Sequence, residues 1–182
     1  FKNHGGFSHL GGMSLQDIAT APAEQRVLKV GVQSNPKKVA GSISHVARNG
    51  PPPALLALGN TAVNQAIKSV AIAVKYLQEE YIQIACAPMY RDDKRSSVSL
   101  VLELISDMTV GTGQEFELLT STSTDPRVLA GAIAGKVRDG ERHSITAIGA
   151  DCVSTMVYAV GVAREYLASD GLECFCVPEF IH

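Results

Sequence analysis

The chain has 182 residues, 46% hydrophobic and 19% charged, with a formal net charge of −2. That length suits one medium domain or two small ones with a real core, and the composition is that of an ordinary globular protein. The apolar runs are short and interrupted, which argues against a membrane-spanning helix, and the mild acidity argues against a generic polyanion binder.

The N-terminal arm, residues 1–26, opens with FKNHGGFSHLGGMS. It is Gly-rich, lacks the apolar centre of a signal peptide and starts at Phe1, so a true N-terminus upstream is expected. Val27–Gln33 (VLKVGVQ) reads as a strand. Asn35 then caps a helix with Pro36 in its first position, an apolar stripe at Val39, Ile43, Val46 and Ala47, and a stop at Gly50. A short strand at Ala54–Leu58 follows, and Asn60 or Thr61 caps a long helix to about Gln78. Ile82–Ala87 is a third strand, which Pro88 is expected to end. A hairpin through RDDKRSS leads to a fourth strand at Val98–Ile105.

After a linker at residues 107–115 the pattern begins again. Sliding the chain by 90 residues places Asn35-Pro36 on Asp125-Pro126 and Ala40-Gly41 on Ala130-Gly131. In the same register Arg48 and Gly50 meet Arg138 and Gly140, Tyr76-Leu77 meets Tyr166-Leu167, and Cys86 and Pro88 meet Cys176 and Pro178. So many matches at one offset mark a tandem duplication. The second copy therefore has strands at Phe116–Ser121, Ser144–Ile148 and Leu172–Val177, with Asp125 and Asp151 as helix caps. It stops at His182 where a hairpin and last strand are expected. The edge so left open needs covering by the N-terminal arm, a partner strand or a tail beyond His182.

The charge is split between the copies. Val27–Ser106 holds nine Lys/Arg against five Asp/Glu, and Phe116–His182 holds five against nine. A positive half beside a negative half bears on partners and orientation rather than on fold.

The first copy resembles stage V sporulation protein S. The resemblance rests on Ser34, Pro36, Val39, Ala40 and Gly41 at the turn into the first helix, and on Asn64, Gln65, Ala66 and Lys68 opening the second. It implies an α+β fold of two tandem Alba-like β-α-β-α-β(-β) repeats: a first repeat at 27–106 and a degenerate second at 116–182. Because Alba-like domains pair, it also implies an intrachain pseudo-dimer. The second copy keeps the turn, but Ser154, Thr155 and Tyr158 stand where the first has Asn64, Gln65 and Lys68.

Little in the sequence points to catalysis. His4, His9, His45, His143 and His182 show no metalloprotease spacing, and no nucleophile elbow occurs. Cys174 and Cys176 share one strand face, but no second pair completes a tetrahedral metal set, and Gly111–Gly113 opens no phosphate loop. Cys86, Cys152, Cys174 and Cys176 read as reduced thiols of an intracellular protein, cytoplasmic with nucleus or cytoskeleton as alternatives. No catalytic residue, cofactor or metal is expected.

Three clusters in the first copy suit phosphate contact. Lys37 and Lys38 open the first helix, where the dipole also favours an anion. Arg91, Lys94 and Arg95 lie on the hairpin tip, beside Asp92 and Asp93. Asn64, Lys68 and Lys75 recur at helical spacing, with Gln65 beside them. Solvated surface is the competing reading for the lysines, and ties to neighbouring loops for Asn64 and Gln65. The expected function is a non-catalytic module that binds nucleic acid, DNA or RNA, through its first repeat. The alternative is a structural subunit of a larger, filamentous or cytoskeletal assembly with protein partners, and no membrane contact is expected in either case.

Overall fold

Two helices per copy, each with an apolar face, must lie on strands whose inward residues match them. The computed structural model describes residues 2–3, 6–7, 26–90, 97–104, 116–141 and 143–181. Two short strands come first, β1 (Lys2–Asn3) and β2 (Gly6–Phe7). The first repeat runs β3 (Val27–Val30), α1 (Pro36–Asn49), β4 (Ala54–Leu58), α2 (Asn60–Gln78), β5 (Ile84–Tyr90) and β6 (Ser97–Leu104). The second runs β7 (Phe116–Leu119), α3 (Pro126–Arg138), β8 (His143–Thr146), α4 (Ala150–Ala168), β9 (Cys174–Phe175) and β10 (Pro178–Glu179). The linker at 107–115 lies outside the described residues. No helix among them is long and apolar enough to cross a membrane.

In the first repeat the strand order is β3-β4-β6-β5. β3 and β4 are parallel, which requires the crossover that α1 provides, and the other pairs are antiparallel. β7 and β8 repeat the parallel pair around α3. The prolines do not end the third strands. β5 continues through Pro88, opposite Leu100, and Pro178 pairs with Asn3. The reason lies in the direction of the missing donor. The Cys86 N–H points away from β6 to the Cys176 carbonyl, 2.8 Å away, so the nitrogen of Pro88 faces that same outer side. The ladder to β6 loses nothing there.

The edge of the second repeat is occupied by the arm. Phe7 and Gly6 pair with Cys174 and Phe175, and Asn3 and Lys2 pair with Pro178 and Glu179. β1 also lies against β8. In the first repeat β6 takes this place between β4 and β5, where Leu104 pairs with Ile84 and Leu100 with Pro88. Ile84 and Cys174 are counterparts in the 90-residue register, as are Pro88 and Pro178. The arm therefore stands where a fourth strand would, running in the same direction.

One apolar cluster spans both repeats, from Ile43, Leu55, Ile67 and Leu77 to Ile133, Ile145, Val157 and Leu167. Each such side chain contributes on the order of 1.5–3 kcal/mol on burial. α2 packs on α4, while β5 lies on α4 and β10 on α2, so each repeat's third strand covers the other's helix. At the centre Cys86 and Cys176 exchange backbone hydrogen bonds of 2.8 and 2.9 Å. Gly161 is required at this seam, because a Cβ there would fall 2.7 Å from the Tyr90 ring. The chain is an intrachain pseudo-dimer of two Alba-like repeats.

Candidate functional site

The helix starts gather at one end of the molecule. Asn35 Oδ1 accepts from the N–H groups of Lys37 (3.0 Å) and Lys38 (3.3 Å), and Asp125 Oδ1 accepts from that of Arg127 (2.8 Å). These two caps agree with the sequence. The caps expected at Asn60, Thr61 and Asp151 do not form. α2 and α4 start instead after Gly59 and Gly149, at φ +82° and +89°, where glycine is favoured, and neither start takes a side-chain cap. Asn60 and Asp151 bond each other: Asn60 Nδ2 donates to Asp151 Oδ1 at 2.8 Å, and Ser154 Oγ donates to Asn60 Oδ1 at 2.9 Å. A cap position so used ties the two helix starts together across the pseudo-dyad. The positive ends of both helix dipoles then face the same side.

The predicted residues divide by role. Gln65 Nε2 donates to the carbonyls of Val32 and Ser34, each at 3.4 Å, and so holds the loop Gly31–Asn35 against α2. Asn64 and Lys68 lie half-buried on the same stretch of helix, and Lys37 and Lys38 are exposed just beyond the loop. Lys75 is exposed roughly 10 Å further along the helix axis, outside this group. Arg91, Lys94 and Arg95 lie outside the described residues. Their flanks are at this end too, since Ser97 pairs with Leu58, one residue before Gly59.

In the second repeat the counterpart positions line an open cleft of about 560 Å³. Its walls include Asp125, Arg127, Ser154, Thr155 and Tyr158, with Asn60 reaching in from the first repeat. The same backbone thus carries lysines and amides in one copy and, apart from Arg127 in the place of Lys37, hydroxyls and carboxylates in the other. At the dyad the Cys86 and Cys176 sulfurs are 3.2 Å apart and buried. Their mutual hydrogen bond and desolvation push the Cys176 thiol well above its ordinary pKa, which keeps it protonated and unreactive. Among the described residues no cluster of three or more His, Cys, Asp or Glu is placed to hold a metal.

The sequence profile of stage V sporulation protein S matches residues 26–102 and, a second time, residues 117–182. The chain belongs to the stage V sporulation protein S family. The family's unit occurs twice in it, and both units keep the proline-started first helix and the glycine-started second one. Only the first retains the Asn-Gln-Ala-x-Lys opening of the second helix. Two groups were not singled out from sequence. One is the Asn60–Asp151 tie, whose residues the sequence presents as helix caps. The other is a buried ion pair, Arg164 with Glu173, signalled only by an arginine inside the apolar run AVGVAREYL.

Proposed function

We propose that the chain is a non-catalytic nucleic-acid-binding module whose first repeat makes the contacts. The observation that supports this is that Gln65 holds the loop Gly31–Asn35, with Lys37 and Lys38 exposed just beyond it, against the uncapped first half of α2, the stretch that also carries Asn64 and Lys68. Phosphate contact needs fixed donors and positive charge, and this end of the first repeat offers both. The second repeat is poorly suited: Val128 replaces Lys38, Tyr158 replaces Lys68, and Asp125 replaces Asn35. Mobility shift with duplex DNA and duplex RNA across a salt series tests the reading. Three lysines on phosphates correspond to a slope of about −3 in log affinity against log salt. Lys37→Glu with Lys68→Glu is expected to weaken binding at least about tenfold, equivalent to about 1.4 kcal/mol. Absence of binding at low salt sinks the reading.

A structural role in a larger assembly is the second reading. It is favoured by the arm, which joins the second repeat by backbone pairing at four positions, a mode also open to strands of other chains. Size-exclusion chromatography with light scattering, over a range of concentrations and with native-source extract, separates the two. A free monomer throughout counts against assembly.

A further inference from the structure

Exposed aliphatic side chains gather at the end of the molecule where the helices start. Leu58 and Ile148 are counterparts in the 90-residue register, each one residue before the glycine that opens α2 or α4. They are 64% and 83% exposed. Neither side chain serves the core, so the fold alone gives no reason for an apolar residue at either place. Val32, in the loop before α1, and Val128, in the first turn of α3, are also more than half exposed. The Asn60–Asp151 bond joins the repeats at this end, so Leu58 and Ile148 flank the pseudo-dyad, one from each repeat. Aliphatic groups left in water singly mean little, but a grouped set marks a contact surface.

The charges around this surface are sorted by repeat. From Val27 to Gln78 the first repeat holds no Asp or Glu. Among the described residues, Lys37, Lys38 and Lys68 take part in no ion pair. In the second repeat Asp125 and Asp151 line the cleft, with Arg127 as the cation on its wall. Their hydrogen bonds come from a backbone N–H and an amide, so neither carboxylate is neutralised by them. Glu117 adds a third carboxylate, bonded to Thr146, two residues before Ile148. The end of the molecule is thus positive on one side of the pseudo-dyad and negative on the other, with aliphatic groups on both.

We propose that two copies of this chain associate end to end through this face, the first repeat of each lying over the second repeat of the other. A two-fold axis perpendicular to the pseudo-dyad brings the faces together in one of two ways. First repeat over first repeat sets lysines against lysines and carboxylates against carboxylates, which is repulsive. First over second sets Lys37 and Lys38 of each copy against the carboxylates of the other, and brings Leu58 of each towards Ile148 of the other. The charges therefore select the second arrangement, and the aliphatic pairs are what it removes from water. An interface of this kind uses the same patch on both chains and closes at two copies. The inference rests on the structural reading, for which it names the partner and the face, and not on nucleic acid.

Sedimentation velocity of the full chain across a concentration series, at low and high salt and without nucleic acid, tests it. The chain is expected to pass from monomer to dimer, and added salt to weaken the pairing. Leu58→Ser with Ile148→Ser leaves the core and every charge in place, so its Tm is expected to hold while the dimer disappears. Lys37→Glu with Lys38→Glu sets carboxylates over carboxylates and is expected to raise the dissociation constant at least about tenfold. A bismaleimide reads the orientation, since the native cysteines are buried. Leu58→Cys mixed with Ile148→Cys is expected to cross-link between chains, and either variant alone far less. The proposal is overturned if the chain stays monomeric at every concentration, whatever it does with duplex DNA or native extract, which judge the two functional readings. It is equally overturned if the dimer survives the serine or the glutamate pair, or if each cysteine variant cross-links alone as well as in the mixture.

Discussion

Arg164 and Glu173 show how much a single pair of side chains decides here. Both are nearly excluded from solvent, at 3% and 7% exposure, and Glu173 also accepts from the Cys174 N–H at 3.1 Å. Removing one partner leaves a buried charge without compensation, whereas removing both leaves an apolar seam that the first repeat already tolerates with Val74 and Gln83. Arg164→Met is therefore expected to destabilise the fold by about 3–5 kcal/mol, read as a lowered midpoint in urea denaturation. Arg164→Val with Glu173→Gln is expected to recover most of that loss. Equal losses in the single and double variants would contradict this account. Sequence shows such pairs poorly, because nothing in an arginine inside an apolar helix names its partner. The same limit explains Asn60 and Asp151. Their positions in the chain suggest caps, and only the neighbouring repeat supplies the partner each uses instead.

At the scale of elements the sequence was far more informative. Proline at the first helical position, a capping Asn or Asp and a terminating glycine are local signals, so α1 was legible to its last residue. The helix starting at Asn60 ends at Gln78 as the apolar periodicity implied. What stayed hidden was pairing across long separations, because hydrogen-bond partners are set by topology. The arm is the clearest case: a Gly-rich stretch carries no strand signal, so the sequence offers it only as one of three ways to cover the open edge, and its pairing of Lys2–Asn3 and Gly6–Phe7 with β10 and β9 appears only in the fold. Its removal uncovers backbone N–H and C=O groups on that edge, which invites pairing between chains. A chain lacking residues 1–7 is expected to exchange the backbone amides of β9 and β10 faster while those of α1 are unchanged. It should also self-associate with rising concentration, as read by light scattering. If the β9 and β10 amides keep their protection, the arm is not what covers this edge.

The molecule as a whole follows from the duplication. Its main core is a single cluster drawn from both repeats, with α2 on α4 and each third strand on the other repeat's helix, so neither repeat buries its apolar face alone. Covalent linkage has then freed the two halves to diverge while keeping the dyad. The centre stays alike, Cys86 facing Cys176, and the ends differ in charge. This predicts how a repeat behaves when separated. Residues 26–106 alone expose the apolar α2 face that α4 covers. An apolar face built around a two-fold axis is self-complementary when presented twice, so the fragment is expected to pair with itself through α2. Its Val74 and Gln83 leave no buried charge to oppose this. The second repeat alone is a worse candidate, since Arg164 would lose the Pro88 carbonyl. Size-exclusion chromatography with light scattering should find the 26–106 fragment as a dimer whose mass holds on dilution into the low micromolar range. A folded monomer would mean that α2 needs no partner, and that the pseudo-dimer is two finished domains joined side by side.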